Sequence, residues 1–256
     1  MAHANLRRNV RHERILVIRL IAGAVVALAM GAFALLVANH SPDTSFALLF
    51  MLILVAGAGM VVLEKTQRAA AGARGEAIAL QTALKLPDDF MVFNNLLVPG
   101  RAGGRPRELD LVAVAPHAVF VVEVKHFKGE IEGPREAPQW RLRKVGRGGT
   151  VYYSTVSNPL RQVASASGAL AAYLKSQGVR SWVQGVVCFT RSYPPPPLAP
   201  GANAVLVAAP ETLCGLLENW KPPRGRHDVE AATAALRALT APDWVAQAMQ
   251  SRPDLR

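Results

Sequence analysis

Residues 108–125 read ELDLVAVAPHAVFVVEVK, and the rest of the sequence is best interpreted outward from them. The stretch holds two nearly continuous apolar runs rich in valine, which break at Ala115-Pro116-His117. β-branched residues favour strands, and proline cannot donate to a ladder, so the pattern predicts two adjacent strands joined by a tight turn. Charged side chains in such strands are costly unless they are paired or bind a metal. This hairpin contains three of them: Asp110, Glu123 and Lys125.

Glu123 and Lys125 lie two positions apart on one strand, so their side chains point to the same face of the sheet. If the turn centres near Pro116-His117, Asp110 falls opposite Glu123 on the partner strand. Two carboxylates would then converge on one divalent ion, and Mg²⁺ favours such a site, with water and phosphate oxygens as further ligands. The alternative is a buried ion-pair network that only fixes the strand register. The apolar context and the second carboxylate favour a functional site.

The N-terminal quarter has the pattern of a two-helix membrane hairpin. Residues 15–38 are apolar except for Arg19, residues 46–63 are uncharged, and each run can span a hydrocarbon core of roughly 30 Å. Basic residues flank the outer ends and are absent from residues 39–45, so both termini are expected on the cytoplasmic side. A cleaved signal peptide would have a shorter apolar core and would leave the second run unexplained. The sequence therefore predicts an integral protein of the inner (cytoplasmic) membrane, held in the lipid bilayer through residues 15–63, with its soluble domain in the cytoplasm.

The remaining sequence predicts an α/β or α+β domain with a mixed sheet between helices. An amphipathic helix at 75–86 precedes a strand at 90–98 and the hairpin. Further strands are expected at 140–145, 151–153, 182–189 and 204–208, and further helices at 159–177, which Asn158 caps, at 210–220 and from 227 onward. The predicted segments are a basic N-terminus (1–14), the membrane hairpin (15–63), a linker or continuing helix (64–74), the core domain (75–220) and a helical C-terminal extension (221–256).

The formal net charge of +11 suggests a polyanionic partner, either nucleic acid or an anionic lipid surface, although a merely solubilising surface has the same signature. Arginine-containing loops at 101–107 and 135–147 are candidate phosphate-contacting surfaces. The residues concerned are Arg101, Arg105, Arg107, Arg141, Arg143 and Lys144. Cys188 and Cys214 lack metal-ligand spacing, so we expect two small buried hydrophobes in a reducing compartment.

The pattern Asp-x12-Glu-Val-Lys, following a helix that carries Gly75-Glu76, resembles the PD-(D/E)XK nuclease superfamily and, more closely, the nuclease-related domain family, NERD. The matching pieces extend over roughly residues 72–190. In order they are Gly75-Glu76, Asn94-Asn95-Leu96, Glu108-Leu109-Asp110, residues 119–125, Gly129-Glu130-Ile131, Trp140 and Asn158-Pro159-Leu160-Arg161-Gln162. Leu109 stands where the superfamily pattern has its nominal proline.

The resemblance implies a restriction-endonuclease-like mixed β-sheet flanked by helices, and hydrolysis of phosphodiester bonds in nucleic acid, with DNA as the first candidate substrate, using Mg²⁺ or Mn²⁺. The sequence itself does not distinguish DNA from RNA. The resemblance also implies that Asp110 and Glu123 are metal ligands and that Lys125 is the water-positioning base. Glu76 would be a further metal-site carboxylate, and Gln162 would orient substrate or water. The alternative is a non-catalytic nucleic-acid-binding or scaffold module on the same fold, and a weaker one is a basic domain lying on anionic lipid.

Overall fold

The computed structural model describes residues 2–6, 10–37, 42–100, 104–146, 148–191, 205–223 and 227–251. The chain forms two compact units. One consists of Arg8–Ala73, and the other combines Met1–Arg7 with Arg74–Arg256.

Two helices build the unit Arg8–Ala73: α1, Val10–Val37, and most of α2, Pro42–Ala83. They lie against each other at Gly59, where an added methyl group would be 3.0 Å from the side chain of Val26. Within the described residues, Leu49–Ala83 is the one helix that is long and apolar enough to cross a membrane, and its most apolar part is almost wholly exposed. The described side chains of α1 give only a shorter apolar stretch, Leu20–Gly31. Of the expected pair of spans, the described residues therefore give one helix that meets the length and composition of a span, and the predicted turn at 39–45 lies partly outside the described residues.

α2 is unbroken from Pro42 to Ala83, so residues 64–74 are helical rather than a flexible linker. The sequence had left a linker or a continuing helix open for this segment. The helix ends before Pro87, as predicted, because a residue that precedes proline is disfavoured in helical geometry.

The described residues form nine strands: β1 His3–Asn5, β2 Met91–Val98, β3 Arg107–Val114, β4 Val119–Lys125, β5 Glu130–Glu132, β6 Gln139–Val145, β7 Val151–Ser157, β8 Val183–Phe189 and β9 Leu206–Ala208. Six of them make a mixed sheet in the order β1-β2-β3-β4-β8-β9, and β5-β6-β7 make a second, antiparallel sheet. Neighbours β2, β3 and β4 run antiparallel, whereas the β1–β2, β4–β8 and β8–β9 pairs are parallel. The predicted mixed α/β architecture is confirmed.

The hairpin predicted from residues 108–125 is present as β3 and β4. Val114 pairs with Val119, and the Ala115 amide closes the turn by donating to the Ala118 carbonyl at 2.8 Å. The last paired residues are Leu111 and Val122. The register, extended by one position, places Asp110 opposite Glu123, which is the pairing that the sequence predicted.

Helices cover both faces of the main sheet. They are α3 Pro159–Ser176, α4 Pro210–Asn219, α5 Val229–Ala238 and α6 Pro242–Gln250, together with the end of α2. α3 and α5 contribute Val163, Leu170 and Leu236 to a core that also contains Val121 of β4 and Trp140 of the second sheet. On the opposite face, Ala79 and Ala83 of α2 and Leu213 of α4 pack with Phe120 and Val122. Because α5 completes the first core, the predicted C-terminal extension is an integral part of this fold.

Asn158 begins α3 and ties it to the loop before β6. Its side-chain oxygen accepts from the Leu160 amide at 2.9 Å, so the predicted N-cap is confirmed. Its side-chain nitrogen donates to the carbonyls of Arg135 and Ala137, both at 2.7 Å. The residue is only 1% exposed, so these bonds satisfy polar groups that water does not reach.

β1 is an element that the sequence did not indicate. His3, Ala4 and Asn5 pair in parallel with the start of β2, and the His3 amide donates to the Phe90 carbonyl at 3.0 Å. The three residues have neither β-branched side chains nor an alternating pattern, so no local signal marks them as a strand. The N-terminal segment is thus part of the same sheet as the hairpin.

Both cysteines are free, and Cys188 is buried in β8. Burial, with a smaller contribution from the charge of Glu211, raises the pKa of the Cys188 thiol to about 12. Cys214 is half-buried, and its Sγ donates to the Thr82 carbonyl at 3.2 Å. Both side chains therefore behave as small packing groups, as the sequence suggested.

Candidate active site

Asp110, Glu123 and Lys125 come together at the C-terminal end of β4. Oδ2 of Asp110 accepts a hydrogen bond from the Val124 amide at 2.8 Å. Nζ of Lys125 donates to Oε1 of Glu123 at 2.6 Å, and these two side chains are 18% and 17% exposed. The carboxylate of Asp110 thus bonds to the backbone of β4 where the regular pairing of β3 with β4 has ended.

The cluster contains more acidic than basic side chains, and this affects the pKa of Asp110. Burial is the largest influence on Asp110, followed by the charge of Glu123, and together they raise the pKa of Asp110 to about 8. The carboxylate of Glu76 acts in the same direction. The Val124 amide and the ammonium of Lys125 oppose the rise without cancelling it. A cation at this position would relieve the repulsion between the carboxylates.

The backbone of β2 is distorted beside Asp110. In the register of β2 with β3, Asn95 lies opposite Asp110, and its φ is +49°. Asparagine tolerates this left-handed conformation better than most residues, which explains the residue type. The alternation of side chains along β3 is also interrupted beside Asp110. Leu109 and Val112 are three positions apart, so a regular strand would send them to opposite faces, but both lie in the core that contains Val121 and Trp140. Asn95 is not among the residues predicted for the site, although an Asn-Asn pair inside an apolar strand is a usable signal for such a position.

Gly75 lets α2 approach the end of β4 closely. A methyl group at this position would lie 2.6 Å from Cβ of His126 and 2.9 Å from Oγ1 of Thr190. The following residue, Glu76, is half-buried, and its carboxylate is close enough to raise the pKa of Asp110. The Gly-Glu pair therefore combines a close backbone approach with an acidic side chain at the site.

Gln162 lies near the beginning of α3, on the face of the sheet that carries Glu123. Val163, the next residue, packs over Gly185 of β8, and a short connection joins the end of α3 to the start of β8. The helix therefore runs back along β8, and its first turns are directed toward the C-terminal ends of β4 and β8. The Gln162 side-chain oxygen is buried and receives no hydrogen bond from the described residues. It is an acceptor without a donor at this end of the sheet.

Of the phosphate-contacting residues predicted at the start of β3 and in the loop before it, the structure describes Arg105 and Arg107. Arg101 lies outside the described residues. Arg105 is exposed, and Arg107 is half-buried at the start of β3, where one of its terminal nitrogens is buried without a hydrogen-bond partner.

Arg141, Arg143 and Lys144 lie on β6 of the second sheet. Arg143 forms an ion pair with Glu130 at 3.0 Å, and Arg141 forms one with Glu132 at 3.7 Å. Arg141 also lies over a tyrosine ring, 4.2 Å from the centroid of Tyr153. Acidic neighbours on β5 therefore offset the charge of both arginines, and the described contacts join them to their own sheet rather than to the carboxylates.

The described residues contain no group of three or more His, Cys, Asp or Glu side chains that could hold a metal ion by themselves. Mg²⁺, however, is commonly held by one or two carboxylates, with water and phosphate oxygens as its remaining ligands. Asp110 and Glu123 fit that requirement, because they are oxygen donors that repel each other in a poorly hydrated site.

The fold and the site define a mixed α/β domain with acidic side chains and a lysine at the end of its central hairpin. Residues 71–190 match the family model of the nuclease-related domain, NERD. The match covers both sheets' central strands and α3, and it agrees with the resemblance found between residues 72 and 190. Neither the search of curated proteins nor the search of solved structures gave a match.

Replacing Gly75 by alanine should destabilise the protein, because the new methyl group would collide with His126 and Thr190. We expect the free energy of unfolding to fall by about 1–3 kcal/mol, as for other overpacked positions. The matched control is Gly72→Ala in the same helix, where an added methyl group meets no atom within 4 Å. Helix propensity predicts a neutral or slightly stabilising effect there, of up to about 1 kcal/mol. Equal losses at the two positions, measured by denaturant unfolding of the full chain in detergent, would contradict the packing argument.

The stability of the protein without divalent ions should depend on the protonation of Asp110. Its pKa is about 8 in the folded chain and near the ordinary aspartate value of 3.8 in the unfolded chain, so between these values the folded state binds more protons. Stability should therefore decline as the pH rises from about 4 to about 8 and then level off. Asp110→Asn removes this titration and keeps an acceptor for the Val124 amide.

We expect the Asp110→Asn variant, in EDTA, to gain thermal stability over the unmodified chain as the pH is raised from 5 to 8. Mg²⁺ should restore stability at pH 8 to the unmodified chain more than to the variant. Asp243→Asn, at an exposed position on α6, serves as the control with the same change of charge. Parallel pH profiles for all three proteins would show that Asp110 is not the group responsible.

Proposed function

We propose that this chain is a membrane-anchored, divalent-metal-dependent nuclease that hydrolyses phosphodiester bonds in nucleic acid, with DNA as the first substrate to test. The observation that carries the proposal is the convergence of Asp110, Glu123 and Lys125 at the end of the hairpin. Its position inside the region that matches the NERD family model supports this proposal, since the family is nuclease-related.

Each residue of the site has a chemical role in this proposal. Asp110 and Glu123 would hold Mg²⁺ or Mn²⁺, with Glu76 as a third carboxylate. When bound, the ion would supply charge stabilisation to the phosphodiester and lower the pKa of a bound water. Lys125, already oriented by Glu123, would position the attacking water, and the unpaired oxygen of Gln162 would accept a hydrogen bond from that water or from the substrate.

The raised pKa of Asp110 supports the metal part of the proposal. A carboxyl group that retains its proton near neutral pH is a poor ligand, and it is held in that state by burial and by Glu123. A divalent cation would take the place of the proton, because its charge favours the ionised form of Asp110. Metal binding and deprotonation of Asp110 would then be a single coupled event.

A second candidate function is a non-catalytic nucleic-acid-binding module on the same fold. It is favoured by the bond between Lys125 and Glu123, which occupies both groups, and by the lack of a three-ligand metal cluster in the described part of the chain. The nuclease is the better explanation, because carboxylates repel phosphate and a module that only binds would gain nothing from them.

The decisive experiment incubates the full chain in detergent with plasmid, linear and single-stranded DNA and with RNA, in Mg²⁺, Mn²⁺ or EDTA. We expect metal-dependent cleavage that falls by about 100-fold or more in Asp110→Ala and Lys125→Ala, because removal of an acid–base or metal-site group costs that much. Asp243→Ala and Lys175→Ala, both at exposed positions, are the matched controls. Retention of DNA without cleavage in any metal would favour the binding module.

We also propose that both α1 and α2 cross the membrane. β1 pairs with β2, so residues 3–5 and 91–93 must lie on the same side of a bilayer. If α2 crosses once, the chain has to cross a second time between residue 5 and the spanning part of α2. α1 is the helix available for that crossing. The basic residues that flank the outer ends favour the cytoplasm for the shared side.

A reporter that is active only outside the cytoplasm, such as alkaline phosphatase, tests this arrangement. Inserted between α1 and α2, it should be active, and fused after residue 256 it should be inactive. A cytoplasmic reporter at the same two positions should give the reverse result. Activity of the first reporter at residue 256, or at neither position, would exclude the two-span arrangement.

A further inference from the structure

Three segments that are distant in sequence meet at the C-terminal end of β4. Gly75 lies against His126 and Thr190, as the short distances from a hypothetical methyl group show. The Thr190 amide donates to the Lys125 carbonyl at 2.9 Å, and a hydrogen bond of 2.8 Å joins the Thr190 hydroxyl to Nδ1 of His126. These contacts fix the backbone positions of the neighbouring residues, which are Arg74 and Arg191.

Arg74 and Arg191 are both exposed, and both are close enough to act electrostatically on the same imidazole. Burial is the main cause that lowers the pKa of His126, and the charges of Arg191 and Arg74 add to it. Neither guanidinium forms an ion pair or hydrogen bond with another described residue. In this respect they differ from Arg141 and Arg143, whose charges are offset by glutamates.

The cluster at the same end of β4 contains three carboxylates, those of Glu76, Asp110 and Glu123, and the ammonium of Lys125. A phosphodiester that approaches the carboxylates is repelled unless positive charge lies next to them. A guanidinium presents a planar pair of donors that matches the oxygens of a phosphate. Two such groups, held at the end of β4, would supply that charge beside the carboxylates.

We propose that Arg74 and Arg191 form a phosphate subsite that binds the nucleic-acid backbone next to the bond to be cleaved. The identity of the ligand rests on the proposed nuclease function. The subsite contributes binding and positioning, whereas the chemistry belongs to the carboxylates and Lys125. It also assigns backbone contacts to two arginines that sequence patterns did not select.

The test measures binding of a fluorescent DNA duplex to the full chain in nanodiscs of zwitterionic lipid, with Ca²⁺ or EDTA, over a series of salt concentrations. Each phosphate contact that is lost should reduce the slope of log K against log salt by about one. We therefore expect a smaller slope for Arg74→Gln and for Arg191→Gln. Arg237→Gln, an exposed arginine on α5, is the matched control and should leave the slope unchanged. The corresponding lysine substitutions keep the charge and should preserve the slope.

Cleavage assays separate this inference from the nuclease proposal. If the chain cuts DNA, Arg74→Gln and Arg191→Gln should raise KM by about tenfold, the size expected for a charge-assisted contact, and affect kcat less. A reduced slope without any cleavage would support the subsite and contradict the nuclease. Cleavage with glutamine variants that behave like Arg237→Gln would contradict the subsite and leave the nuclease intact. Loss of binding to anionic vesicles, with DNA binding unchanged, would overturn the proposal in favour of a lipid headgroup.

Discussion

The hydrogen bond from the Val124 amide to Asp110 is the interaction on which the site depends. β3 pairs with β4 only as far as Leu111 and Val122. The Val124 amide lies beyond that last pair, so it needs another acceptor. A side-chain carboxylate supplies it, and that places a second acid beside Glu123 in poorly hydrated surroundings. The group that completes the hydrogen bonding of the strand is therefore also a group whose pKa is raised to about 8.

β2 and β3 both depart from regular strand geometry beside Asp110. A regular strand would send Leu109 and Val112 to opposite faces, yet both lie in the same core. Asn95, opposite Asp110, absorbs the change through its left-handed backbone. A local strain of order 1–3 kcal/mol is tolerable here because buried apolar residues continue on both sides of the irregular position. The irregularity is thus confined to the residues around the carboxylate.

Local patterns predicted much of this fold, and non-local contacts account for what they missed. The hairpin follows from its valine runs and central proline, and α3 follows from Asn158 and Pro159. β1 could not be predicted, because its three residues become a strand only by pairing with β2. Arg141 and Arg143 were expected to meet phosphate. That expectation stays a prediction. The register of β5 with β6 sets the two arginines opposite Glu132 and Glu130, and no composition argument contains that register.

The placement of charge, rather than the total of +11, determines what the domain can bind. Arg141 and Arg143 on the second sheet form ion pairs with glutamates, whereas Arg74 and Arg191 adjoin the contacts that join α2, β4 and β8. One helix, α2, contains the apolar stretch, Arg74, Gly75 and Glu76 in sequence. The position of its last turns against β4 therefore sets the location of both Glu76 and Arg74. Close packing at Gly75 fixes the position of these turns against β4. A larger residue there would collide with His126 and Thr190 and would displace Arg74 and Glu76 together.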